Sequence, residues 1–145
     1  MRPPVDQALR TLAGTLLGDA SAGGAEYAKA TSDMIAVLLL FAATEAERAA
    51  DVRENENRAM RAFFAEAASH IADAALRARV REESQGSDAS RLVTDLDASN
   101  DRLKRLLIEL HACVEQDTAL ADLDRAIWSL YRRFAEGRAL PPVPF

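Results

Sequence analysis

Apolar residues recur along this chain at helical rather than strand spacing. Val5, Leu9, Leu12 and Leu16 fall three or four apart, behind Pro3 and Pro4. Proline is tolerated in the first turn of a helix, so a first helix is expected there, ending at Gly18. The stretch Gly18–Gly24 holds three glycines among small residues and reads as a connector. From Ala25 to Glu83 there is neither Gly nor Pro. Placed at 100° per residue, Ile35, Leu39, Ala42, Ala46, Ala50, Arg53, Asn57, Met60, Phe64, Ala67, Ile71 and Ala75 follow one line.

A stripe that keeps phase over this distance favours one long helix, kinked near Asn55–Asn57. The rival reading is a tight hairpin at those asparagines, which tolerate turn conformations. A helix of about 58 residues would extend nearly 90 Å at 1.5 Å per residue. The other helices could not cover all of it, so a second copy would be needed to bury the rest. The hairpin would permit a monomer.

Gln85–Asp88 breaks the pattern, with Asp88 as candidate N-cap of the next helix. That helix carries the stripe Leu92, Leu96, Asn100, Leu103, Leu107, Leu110 and Val114. Asp117 or Thr118 caps the last helix, whose stripe is Leu120, Leu123, Ile127, Leu130, Tyr131 and Phe134, and Gly137 ends it. The tail Leu140–Phe145 is proline-rich and is expected to be extended. These readings give an all-α helical bundle of four to five helices with antiparallel neighbours. They make residues 1–145 a single domain: 1–24 a helix and connector, 25–84 the long segment, 88–136 a helical hairpin, and 137–145 the tail.

Composition strengthens the helical reading. The 145 residues include 30 alanines, and aromatic residues are 6%. Alanine is the best helix former and β-branched residues are poor ones. The net charge of −5 comes from 18 basic and 23 acidic residues, and no segment is strongly basic. A nucleic-acid partner, which calls for a concentrated basic surface, is therefore not expected. The longest apolar run, Met34–Ala43, is ten residues, against the roughly 20 that a membrane span needs. No membrane association is expected either. A single cysteine, Cys113, excludes an internal disulfide, and the N-terminus lacks the apolar core of a signal peptide. A cytoplasmic setting follows as the expectation.

Catalytic signatures are absent: no Gly-rich phosphate loop, no GxSxG, no HExxH and no zinc-type Cys/His spacing. Glu66 and His70 share a helix face, as do His111 and Glu115. Neither pair has the Glu-x-x-His spacing of di-iron bundles, so no metal and no cofactor is expected. Glu45, Glu47, Asp51, Glu54 and Glu56 cluster in sequence. Magnesium-dependent helical pyrophosphohydrolases use carboxylates at such spacings. With Arg48 and Arg58 close by, a solvated face of ion pairs is the better reading.

The distinctive feature is polar. Arg53 and Asn57 interrupt one apolar stripe and Asn100 another. Buried polar groups need partners. They can form a register-setting layer, as a buried Asn does in coiled coils, or line a ligand pocket, with Arg53 for an anion and Asn57 and Asn100 for a polar group. The leading expectation is a non-enzymatic interaction or accessory protein that forms a homodimer and takes a protein partner. The alternative is an anion- or nucleotide-binding, or hydrolytic, bundle with its site at Arg53, Asn57 and Asn100.

Overall fold

The computed structural model describes residues 4–19 and 26–139. The expected connector beyond Gly18 and the tail from Leu140 lie outside the described residues for the most part. Five α-helices appear in order: α1 (Val5–Asp19), α2 (Glu26–Ala67), α3 (Ala74–Ser84), α4 (Val93–Val114) and α5 (Ala121–Arg138). Short 3-10 turns at Ala68–His70 and Thr118–Leu120 precede α3 and α5. Among the described residues there is no strand, so the protein is all-α. No described helix is long and apolar enough to cross a membrane.

The long segment resolves into two helices. α2 runs unbroken through Asn55–Asn57 and stops at Ala67, so there is no hairpin at the asparagines and no single helix to Glu83. The break needs no Gly or Pro. Ile71 is extended (φ −84°, ψ 120°), and the Asp73 carboxylate accepts N–H bonds from Ala75 and Leu76 at 2.8 Å each, capping α3. The apolar line ends at the corner: Ile71 is buried, Ala75, the next member, is exposed, and burial in α3 passes to Leu76 and Val80.

The chain divides into two compact units, with the division inside α2 between Ala49 and Ala50. In the N-terminal unit Arg10 of α1 pairs with Glu47 of α2 at 3.2 Å. Its buried apolar residues among those described are all alanines: Ala13, Ala36, Ala43 and Ala49. The expected line through Ile35, Ala42 and Ala46 is displaced by one residue. Ala36 and Ala43 are fully buried, whereas Ile35, Ala42 and Ala46 are exposed. Small residues permit close helix approach, and the larger Met34, Ile35 and Leu38 are left outside.

The second unit, Ala50–Ala139, is a bundle built from the last part of α2 with α3, α4 and α5. Its directions follow from cross-helix pairs. Arg79–Glu109 and Glu83–Arg102 set α3 antiparallel to α4. His111–Asp124 and Asn100–Arg138 set α5 antiparallel to α4. Arg53–Asp97 and Glu56–Asn100 make α2 and α4 parallel. Helices that follow one another in sequence therefore alternate in direction. Met60, Phe64, Val80, Leu103, Leu107, Leu110, Ile127 and Leu130 form the core. The expected stripes of α4 and α5 supply most of it, except Leu92, which is 65% exposed.

Asp88 is not an N-cap. α4 starts behind Leu92 with no side-chain cap, and Ser90 Oγ instead accepts the Leu92 N–H at 3.0 Å. Asp88 is drawn away by Arg61 and Asn57, as described below. Asp117 caps the 3-10 turn before α5, accepting from the Ala119 N–H at 2.9 Å, and not α5 itself, which starts behind Leu120 with no side-chain cap.

The burial pattern separates two large apolar side chains sharply. Phe64→Ala is expected to destabilise the protein by about 3–5 kcal/mol. Leu92→Ala is expected to change stability by less than about 0.5 kcal/mol. Urea denaturation followed by circular dichroism measures both, and equal losses would refute this core.

Candidate functional site

The polar interruption of the stripes becomes a layer inside the second unit. Its centre is Glu56, one residue before Asn57 on α2 and only 4% exposed. Arg138, the last residue of α5, grips it with two bonds, Nε to Oε1 at 2.6 Å and Nη2 to Oε2 at 2.9 Å. Lys104 Nζ lies 3.0 Å from Oε2, and Asn100 Nδ2 donates to the same oxygen at 3.0 Å. Lys104 also sits over the Phe134 ring, 5.7 Å from its centroid. A paired Arg fork and two further donors are what a buried carboxylate requires.

The two asparagines link this hub to the rest. Asn100 Nδ2 donates to Asn57 Oδ1 at 2.9 Å. Asn57, fully buried, donates to the Leu96 carbonyl at 3.2 Å and to Asp88 Oδ1 at 3.1 Å. Arg61 Nη2 reaches the same Asp88 oxygen at 2.8 Å. Its Nε is buried without a partner. At the rim, Arg53 Nε donates to Asp97 Oδ1.

The structure thus brings Asn57 and Asn100 into direct contact and places Arg53 on the α2–α4 face one turn away, committed to Asp97. Sequence reasoning missed Glu56, Arg61, Asp88 and Arg138. The sequence groups Glu56 with the solvated carboxylates, whereas the structure places it in the interior. Its neighbours behave as expected of a surface face: Glu54 pairs with Arg58 and Arg91, and Glu47 with Arg10. Burying Glu56 follows from its position beside Asn57, on the side of α2 that faces α4 and α5.

Burial alone would raise the Glu56 pKa. The bonds from Arg138, Lys104 and Asn100 outweigh it and hold the group at about 2 instead of 4.5. Asp88 is treated the same way. Burial pushes it up, and the Arg61 guanidinium with Ser99 and Asn57 brings it below its ordinary value.

The other candidate groups fall elsewhere. His70 lies exposed on the 3-10 turn after α2, and Glu66 and His70 border a groove with Phe63, Leu120 and Leu123. His111 is buried and meets Asp124 of α5 at 2.9 Å, a partner that spacing along one helix could not reveal. A second groove, between α3 and α4, contains Arg79, Arg102 and Arg105, with Arg79 bonded to Glu109 and Arg102 to Glu83. Cys113 is half-buried. Comparison of the chain with protein-family models, curated proteins and solved structures finds no match.

A carboxylate with a depressed pKa stabilises the fold above its unfolded value and loses that contribution as pH falls through the folded one. For Glu56 the window is pH 4.5 down to about 2, and the contribution is about 3 kcal/mol at 1.36 kcal/mol per unit. Glu56→Gln should lower stability at neutral pH and flatten the decline across that window. Denaturation midpoints at stepped pH check this, and a variant profile parallel to the unmodified protein's would refute it.

Proposed function

We propose that this chain is a non-enzymatic helical interaction or accessory protein that assembles with a second copy of itself. One observation carries the reading. The N-terminal unit buries only alanines among its described apolar residues, yet exposes Val5, Leu12, Leu17, Met34, Ile35 and Leu38. Alanine burial releases little apolar area from water, and contiguous exposed large side chains on helices are the usual mark of an interface. Met34, Ile35 and Leu38 lie within one turn of α2, on adjacent positions of a helix face.

The polar layer supports the same reading over a ligand pocket. Arg53, Asn57 and Asn100 each spend donors on protein acceptors: Asp97, Asp88 and the Leu96 carbonyl, and Glu56 with Asn57. An anion arriving there would have to compete with carboxylates already in place. The layer is therefore read as a device that fixes helix register. A cytoplasmic setting suits the lone thiol of Cys113.

Sedimentation equilibrium tests the assembly. The unmodified chain should show twice its 15.8 kDa mass. The Met34→Glu/Leu38→Glu variant should sediment as a single chain with unchanged helical circular dichroism. A single-chain mass for the unmodified protein up to about 100 µM, where mass action favours any dimer of useful affinity, would overturn the proposal.

A further inference from the structure

One group of side chains in the second unit has a geometry that neither packing nor the polar layer uses. His111 stands in the last turn of α4, Glu115 is that helix's C-cap, and Asp124 lies in the first turn of α5. The His111 ring is held between aromatic neighbours. Trp128 meets it edge-on, with centroids 5.3 Å apart at 82°, and Tyr131 lies at 5.6 Å. With the ring fixed, Nε2 faces two carboxylates at once: Asp124 Oδ1 at 2.9 Å and Glu115 Oε1 at 3.5 Å.

Hydrogen bonding does not account for the second of these. An imidazole nitrogen carries at most one proton and serves one good acceptor. Among the described residues no Lys or Arg pairs with Asp124 or Glu115. Two carboxylates therefore converge on one nitrogen at the C-terminal end of α4, where the helix dipole is itself negative.

Two edges of this triangle fit a metal polyhedron. A tetrahedral ion with bonds of 2.0–2.1 Å sets its ligand atoms ~3.3 Å apart. The two distances from His111 Nε2, 2.9 and 3.5 Å, bracket that edge, and all three donor atoms lie within 4.8 Å of one another. One imidazole with two carboxylates suits zinc and its neighbours in the divalent transition series; magnesium and calcium prefer all-oxygen sites. Glu115 is exposed, so the site is open to solvent on that side.

We propose that His111, Asp124 and Glu115 form a binding site for one divalent transition-metal ion of the zinc type at the α4–α5 corner. The site is independent of the assembly proposed above. Bound metal would tie the C-terminal end of α4 to the first turn of α5 across the connection that Asp117 caps.

The test uses the full chain after treatment with a chelator. Trp128 is the only tryptophan and touches the His111 ring, so Co²⁺ bound there should quench its fluorescence to saturation at one equivalent. Zn²⁺ should displace the Co²⁺ and restore the signal. Asp124→Asn and Glu115→Gln, on a half-buried and an exposed side chain, keep the test valid even where His111→Gln disturbs the core. Each should weaken Zn²⁺ binding by at least about tenfold, while His70→Gln should leave it unchanged. The proposal is overturned by an absence of saturable quenching up to about 100 µM Co²⁺. It is equally overturned by unmodified-strength binding in the Asp124 and Glu115 variants, or by loss of binding in the His70 variant.

Discussion

A carboxylate buried in a helical bundle must be met by cationic or amide donors, because an ion removed from water without them costs several kcal/mol. Glu56 is met by Arg138 from the end of α5 and by Lys104 and Asn100 from α4. That requirement constrains the second unit more tightly than apolar contact can. Apolar attraction is non-directional, whereas a slip of α5 against α2 would carry Arg138 away from Glu56. Asn57 and Asn100, bonded to each other, extend the constraint across the α2–α4 pair. Asp88 then carries it into the segment before α4 through Arg61.

Several other features accompany this layer. Arg53 and Glu56 of α2 meet Asp97 and Asn100 of the parallel α4 in the same order, so one layer spans both helices. α4 has no side-chain N-cap because Leu92 occupies that position; Ser90 Oγ takes the Leu92 N–H, while Asp88 is engaged with Arg61 and Asn57. Below the layer the core is ordinary, with Met60, Phe64, Leu103, Leu107 and Leu130 buried in register with the stripes that the sequence displays.

Legibility varied with the kind of signal. Helix content, the α4 and α5 stripes and the polar interruption were readable, since each rests on spacing within one helix. The α2–α3 corner was not, because it is made by an extended Ile71 and the Asp73 cap, while the apolar spacing in the sequence runs on through it to Ala75. Asn57 and Asn100 were readable as interruptions, but Glu56 was hidden among surface carboxylates two residues from Glu54. Arg138 and Asp124 could not be found at all, since their partners lie 82 and 13 residues away. The N-terminal unit differs in kind. With alanines inside and Met34, Ile35 and Leu38 outside, it offers a surface where the second unit offers a closed core.

The central claim is that the Glu56–Arg138 contact carries coupling energy between α2 and α5. A double-mutant cycle of Glu56→Gln, Arg138→Gln and the pair, read by urea denaturation at pH 7, isolates it. A coupling of at least about 1.5 kcal/mol is predicted, in the range for hydrogen bonds to charged groups. Additive losses, with coupling near zero, would contradict the account.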